Sequence, residues 1–371
     1  MPDERTPSLS VVVPAYQAAE WLDQAIDSIL SSDLTDLEVV VIDDGSTDRT
    51  GAIAEAWAAR DARVQVEHTP NRGLGAARNT GVRRARGTYL GFCDADDAVP
   101  PTAYSLLVTA LEQSGSDFAT GSLTRWTSRG LSEPTWMRRL HRRPRIRAAI
   151  DEHPEILGDV FVTTKVFRRA FYDRVGLEFP IGIRYEDRAL TTRAFLEGRF
   201  DVLPDVVYQW RIREDGSSIT QQRDSIDDLR DSWTTKRWSW ELVEAYADPT
   251  VTEVFRDRVL PGDLWRYFLE IPAASDTWWE LLRGGVMEFW GDRSLVHSGL
   301  PPVHRLAAWL VEQDRREDVT RLMDWVSTLD GPAPQARHGL RRRPRLDVPA
   351  EVVDLSTVAS EALVLRDYEV R

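Results

Sequence analysis

Between Leu9 and Leu111 the chain alternates short, unbroken apolar runs with segments whose apolar residues recur at helical spacing, and most of the runs stop at a polar cluster. A strand buried on both faces reads as such a continuous run. Leu9 to Val13 is the first, ending at Pro14, and Trp21, Leu22, Ala25, Ile26, Ile29 and Leu30 follow at helical spacing. Glu38 to Ile42 is the second, closed by Asp43-Asp44-Gly45-Ser46. A helix follows it with Ile53 and Trp57 one turn apart, and Ser46 or Asp48 is expected to cap it. Val64 to Val66 reads as a weaker strand, Gly75 to Arg86 as a helix ended by Gly87, and Thr88 to Cys93 as a fourth strand entering Asp94-Ala95-Asp96-Asp97. Leu106, Leu107, Ala110 and Leu111 mark a further helix. The alternation predicts an α/β fold, a mostly parallel sheet flanked by helices. In such sheets ligands bind beyond the carboxyl ends of the strands, where the strand order switches. Three polar clusters fall at such ends: Pro14-Ala15-Tyr16, Asp43 to Ser46, and Asp94 to Asp97.

Residues 125–150 break the pattern with the basic run WMRRLHRRPRIR. Val160 to Phe167 reads as strand and turn, Glu186 to Leu196 as a helix opened by Tyr185-Glu186-Asp187, and Val202 to Arg213 as a strand with a proline bulge. After about residue 222 the texture becomes helical, and nine of the 14 tryptophans lie between 233 and 325. So aromatic a stretch predicts a packed second domain, because disordered segments are poor in aromatic residues. The expected organisation is a catalytic-type domain over 1–221, a mainly helical Trp-rich domain over 222–330, and, within 331–371, a basic linker over 331–345 and a closing hairpin over 350–371.

With 371 residues, the chain is too long for one small domain. A formal charge of −13 argues against a general nucleic-acid binder. The single cysteine, Cys93, excludes an internal disulfide framework and a Cys-rich zinc site, and the six histidines are scattered. The first residues lack the basic-then-apolar pattern of a secretory signal, and no apolar stretch reaches the ~20 residues that span a bilayer. A soluble, cytoplasmic protein is expected, with docking on the inner membrane face left open.

The carboxylates carry the chemistry. Asp94, Asp96 and Asp97 crowd one turn and repel one another unless a cation joins them. Mg2+ or Mn2+ suits such a site, being a hard ion that takes one or two carboxylates and fills its other positions with phosphate and water. A solvated acidic turn is the alternative. Asp43-Asp44-Gly45-Ser46 suits a ribose or base edge, or a plain strand-to-helix turn. A dehalogenase-type phosphatase would need its nucleophilic Asp at 42, which is Ile42. Arg72, Arg78 and Asn79 lie among glycines that let a ligand approach the backbone, or on a solvent-facing helix. Glu186-Asp187 either caps a helix start or, in a cleft, removes a proton from a hydroxyl.

Taken together, LSVVVPAY (9–16), VIDDGSTD (41–48), Asn71-x-Gly73-x-x-x-Ala77-Arg78-Asn79-x-Gly81 and Asp94-Ala95-Asp96-Asp97 resemble a family 2 glycosyltransferase of GT-A fold. Tyr185-Glu186-Asp187, Tyr208-x-x-Arg211 and Gly216-Ser217-Ser218-Ile219-Thr220 extend the resemblance to about residue 221. It implies transfer of a sugar from a nucleotide diphosphate donor, usually UDP-linked, to an acceptor hydroxyl with inversion. By that resemblance Pro14, Tyr16 and Asp44 line the nucleoside pocket, and Asn71 and Arg78 lie near the base and diphosphate. Asp94 faces the ribose and, with Asp96, the metal. Asp187 is the base with Glu186 beside it, and Arg211 and Ser218 sit on a loop over the pyrophosphate. One departure stands out: where many relatives carry a histidine, this chain has Arg213, a cation able to assist diphosphate departure directly.

The trailing domain resembles the layout of bacterial cell-wall polymer glycosyltransferases of the teichoic-acid type, in which the extra part supports oligomerisation or polymer binding. The runs Arg138 to Arg147 and Arg341 to Arg345 suit a polyanionic acceptor or an anionic lipid surface, or are solvated loops on an acidic protein. Three readings compete: transfer to a cell-envelope polymer or lipid-linked glycan, transfer to a soluble natural product, and a non-catalytic carbohydrate-binding scaffold. A sugar-nucleotide pyrophosphorylase is disfavoured, since its Gly-rich N-terminal loop is absent.

Overall fold

The structure, a computed structural model, describes residues 6–213, 224–336 and 344–366. Among these the chain divides into two compact units, one of 6–213 with 241–248, the other of 224–240 with the chain from 249 onward. The boundary expected at 221/222 lies in 214–223, outside the described residues.

The first unit is built on strands β1 (Leu9–Ala15), β2 (Leu37–Asp43), β3 (Val64–His68) and β4 (Tyr89–Phe92), alternating with helices α1 (Leu22–Leu30), α2 (Thr50–Arg60), α3 (Leu74–Arg84) and α4 (Ala103–Ser114). There follow β5 (Phe118–Thr127), β6 (Gly130–Ser132), α5 (Thr135–His141), β7 (Arg145–Ala148), β8 (Lys165–Arg168), α6 (Arg169–Val175), α7 (Asp187–Glu197) and β9 (Phe200–Arg211). Together they form a nine-stranded sheet of order β3-β2-β1-β4-β8-β5-β9-β7, with β6 on β5. β3, β2, β1 and β4 are parallel neighbours, as are β5 and β9, while β8 runs antiparallel between β4 and β5. Two antiparallel steps restore direction, so β9 ends at the same edge of the sheet as β1, β2 and β4.

The continuous apolar runs are explained by burial on both faces: every residue of β1, β2 and β4 is buried. One face packs Val11, Val13, Val39 and Val41 against Leu22, Ile26 and Ile29 of α1 and Trp57 of α2. The other carries an aromatic cluster in which Phe118 stacks with Phe167 and Phe171 and meets Phe195 edge-on. Each such ring contributes about 1.5–3 kcal/mol of burial. α3 lies close on the sheet because position 81 has no side chain. A Cβ on Gly81 would lie 2.2 Å from Val12 Cγ1. Gly81→Ala is therefore expected to destabilise the fold by about 1–3 kcal/mol, read as a lowered Tm; an unchanged Tm would show that α3 can move away.

Several expectations need adjusting. β1 continues through Pro14, whose missing N–H is tolerated opposite Ile42 near the strand end. α2 begins only at Thr50: Asp48 accepts from the Thr50 N–H, but Ser46 accepts from Gln17 N instead, so Ser46 is not the cap. The basic stretch after 125 is not a break throughout, since β5 runs to Thr127 and α5 and β7 follow. The bulge expected near Pro204 is present as register shifts between β5 and β9.

The second unit is helical: α8 (Ile226–Tyr246, whose last residues count with the first unit), α9 (Pro249–Val254), α10 (Leu264–Phe268), α11 (Asp276–Trp290), α12 (Pro302–Glu312) and α13 (Arg316–Ser327). Trp233, Trp278, Trp279 and Trp290 are buried and the other five tryptophans of this stretch half-buried, so they form core and not open platforms. β10 (Gln335–Ala336) pairs with β11 (Arg345–Leu346), and α14 (Ser360–Leu363) lies near the end. The hairpin expected over 350–371 is not what its described part forms. Ala362, Leu363 and Leu365 are buried from a short helix and its exit, a spacing that a helical turn satisfies and an alternating strand does not. Among the described residues no helix is long and apolar enough to cross a membrane.

Candidate active site

The strand order runs 3-2-1 in one direction and then turns to β4, so the switch point lies between the carboxyl ends of β1 and β4. Pro14 is buried in β1, whereas Tyr16, one residue beyond it, is 52% exposed. Asp44 is buried at the end of β2 and its carboxylate accepts from Thr69 Oγ1 and from the backbone N–H groups of Arg72 and Gly73. That clamp folds the 69–73 loop against Gly45 and leaves Asn71 exposed beside Tyr16's edge of the sheet.

Arg78 is the centre of the site. α3 carries it inward, 3% exposed, where it donates to Asp94 Oδ1 at 2.7 Å and to Glu186 Oε1. Its guanidinium lies 5.3 Å from the Phe179 ring centroid. Asn79, the next residue, holds the Phe179 backbone through both an accepted and a donated hydrogen bond. The surface-arginine alternative is thereby removed, and Arg78 joins the acidic turn after β4 to the start of α7.

That start is unusual. Tyr185 adopts φ of 61°, a left-handed conformation uncommon for an aromatic residue. Glu186 follows as N-cap and Asp187 as the first helical residue, half-buried. Burial pushes Glu186 up to about 7 against the opposing pull of Arg78. Burial also raises Asp187, with Arg78 again opposing and Asp94 adding to the rise. A carboxylate held above its ordinary range is a better proton acceptor near neutrality.

The acidic turn is tied to the end of β9. Buried Asp97 accepts from the Tyr208 hydroxyl at 2.6 Å and from Arg211 N at 2.7 Å, and burial, Asp96 and Asp94 hold it well above the usual carboxylate range. Arg211 Nε donates to the Asp96 carbonyl, and its guanidinium lies 3.9 Å from the Trp126 ring centroid. Arg213 donates to Asp96 Oδ2 through Nε at 2.8 Å and Nη2 at 2.7 Å, its guanidinium 4.0 Å from the Trp21 centroid. Ser218 lies outside the described residues.

Asp94 and Asp96 share this turn at side-chain exposures of 31% and 19%, and each already has an arginine on one oxygen. Among the described residues no three His, Cys, Asp or Glu side chains converge as a metal cage. Two carboxylates on one turn are a donor set that a hard divalent ion accepts when phosphate and water complete its shell. The guanidinium of Arg213 shows that the turn accepts positive charge.

The lock of Tyr208 on Asp97, and the stacking of Arg211 and Arg213 on Trp126 and Trp21, were not read from the sequence, because partners 85 or more residues apart leave no periodic signal. Also missed was a buried network beneath β8, where Asp159 meets Lys165 at 2.9 Å, His141 at 3.2 Å and Thr120 at 2.7 Å. No local pattern marks those residues.

Residues 10–176 match the model of glycosyl transferase family 2. The chain is 34% identical over 220 residues to the uncharacterized glycosyltransferase EpsJ of Bacillus subtilis, covering 58% of this chain and 63% of that protein. It is 31% identical over 241 residues to the succinoglycan biosynthesis protein ExoO of Rhizobium meliloti, covering 60% and 66%. The chain thus spans just under two thirds of these relatives' length. In fold it is similar to S. aureus TarS 1–349 in complex with UDP-GlcNAc, at a TM-score of 0.58 and 16% identity over 92% of this chain and 96% of that one.

Proposed function

We propose, from the match of residues 10–176 to the model of glycosyl transferase family 2, that the protein moves a sugar from a nucleotide diphosphate donor, a UDP-sugar, to a hydroxyl of a cell-envelope polymer or lipid-linked glycan. The carrying observation is the Arg78 bridge, which brings the acidic turn at Asp94 and the helix start at Glu186-Asp187 into one site. Donor handling and proton removal then take place side by side.

In this reading Tyr16, Asn71 and the loop clamped by Asp44 receive the nucleoside at the switch point, with Pro14 beneath them. Asp94 turns toward the ribose. Asp187 takes the proton from the acceptor hydroxyl, whose oxygen attacks the anomeric carbon from the side opposite the diphosphate, so the configuration inverts. The bond from that carbon to the diphosphate oxygen breaks, and the diphosphate leaves with the added negative charge near Arg211 and Arg213. A bound Mg2+ or Mn2+, held by Asp96 and Asp94, would neutralise that charge. Glu186 keeps Arg78 in place, and Asp94 adds its charge to the burial that raises Asp187.

The polymer acceptor is supported by the name of ExoO, a succinoglycan biosynthesis protein, and the UDP-linked donor by the fold shared with TarS, a protein crystallised with UDP-GlcNAc. Exposed Arg139, Arg142 and Arg143 offer positive charge to an anionic chain.

A thermal-shift panel of UDP-, GDP-, CDP- and TDP-sugars with and without Mn2+ tests the donor. A donor at 100 times its dissociation constant should stabilise the fold by about 2.7 kcal/mol. A shift with UDP-sugars is the expected result. No shift with any donor would remove the reading and favour the non-catalytic scaffold.

A further inference from the structure

Asp96 is held by a cation from this chain's own sequence. Both donors of the Arg213 fork, Nε at 2.8 Å and Nη2 at 2.7 Å, reach the same oxygen, Oδ2. The arrangement is built, since three features fix it independently. The guanidinium lies 4.0 Å from the centroid of the Trp21 ring, which fixes its plane. Arg211, two residues earlier and the last residue of β9, anchors the strand end to the Asp96 carbonyl, to Gln24 and to the Trp126 ring. The backbone N–H of Arg211 and the Tyr208 hydroxyl fix neighbouring Asp97 at 2.7 and 2.6 Å. The acidic turn and the end of β9 are thereby one piece, with Arg213 aimed at the Asp96 carboxylate.

We infer that Arg213 is a resident counter-ion of Asp96 that a divalent metal must displace, and that the same guanidinium gives the protein a metal-independent hold on a nucleoside diphosphate. With both Nε and Nη2 on Oδ2, that oxygen has no in-plane lone pair left for a metal, and a cation on Oδ1 would lie beside the guanidinium's like charge, so arginine and metal compete for the Asp96 carboxylate. Each also offers charge to a diphosphate, the arginine through a fork that matches paired phosphate oxygens. The metal then strengthens donor binding without being indispensable to it. The second half of the inference rests on the donor reading above, the first half does not.

The test uses the full chain with Mn2+ alone and with UDP as probes. Free Mn2+ is followed by electron paramagnetic resonance, and UDP binding by calorimetry with and without Mn2+. In Arg213→Ala, Mn2+ without nucleotide is expected to bind about tenfold more tightly than in the wild type, because the charge-assisted bond it must break is gone. UDP without metal is expected to bind about tenfold more weakly, and its metal enhancement to grow. Trp21→Leu, which removes the stacked ring and leaves the charge, should move both quantities the same way by less. Unchanged Mn2+ affinity in Arg213→Ala, with Tm retained, overturns the competition. Unchanged metal-free UDP affinity overturns the diphosphate hold. If Mn2+ binds more tightly in the variant while UDP binds neither protein, the competition stands and the donor reading fails.

Discussion

Asp187→Asn will lower sugar transfer by about 10²–10⁴-fold, the range that a positioned general base supplies, while donor affinity and Tm stay close to wild type. The substitution keeps the size of the side chain and removes only its ability to accept a proton as a carboxylate. Normal turnover in this variant would move the base elsewhere, and Glu186→Gln is the control. As the proposed base Asp187 must be ionised, and it is held above the ordinary carboxylate range, first by burial and then by Asp94, with Arg78 opposing. Activity should therefore be lost as pH falls, at a higher pH than a carboxylate of ordinary pKa, about 4, would give. Glu186, pushed up to about 7, titrates with it. Replacing Glu186 by Gln removes the carboxylate that shares Arg78, so more of that guanidinium's pull falls on Asp187, ionisation becomes easier and the acid limb of kcat/KM should shift to lower pH. A limb that stays in place would show that the two carboxylates are uncoupled.

Arg78→Met should be the most damaging single change to stability in the site. It leaves Glu186 and Asp94 without their shared cation, with Glu186 buried at 6% side-chain exposure. Removing one partner of a buried ion pair costs about 3–5 kcal/mol. At about 2–4 °C per kcal/mol for a unit of this size, calorimetry would register a large fall in Tm. Arg78→Lys keeps the charge but not the fork, and should recover part of it. In the double variant Arg78→Met with Glu186→Gln the uncompensated charge at Glu186 is gone, so stability should return toward wild type while donor binding does not. A Tm loss equal to the sum of the two single changes would show that the pair is not coupled.

The sheet was legible because strands buried on both faces must be continuously apolar. Val11 to Val13 and Val39 to Val41 could be read without knowing their partners. The polar ends of those strands were legible for the same reason, since a polar cluster directly after a buried strand marks the edge where the sheet meets solvent. Helix ends were less so: Ser46 looks like a cap, yet the hydroxyl that would cap a helix accepts from Gln17, 29 residues away. The pattern at 350–371 misled because a few apolar residues fit a short helix as well as a strand.

What the sequence determined by itself is therefore the set of residue types and the strand ends at which they stand: Asp94 and Asp96 after one buried strand, Asp44 after another, Glu186 and Asp187 at a helix start. Only the tertiary structure decided which of them face one another. Arg78 could have been a solvent-facing helix residue, and it is the bridge between Asp94 and Glu186, 16 and 108 residues away along the chain. Arg213 is a departure in a motif until the end of β9, after two antiparallel steps of the sheet, returns to the edge where Asp96 lies. Local pattern records the burial of each segment. The pairing of charges depends on strand order, which short-range periodicity does not encode.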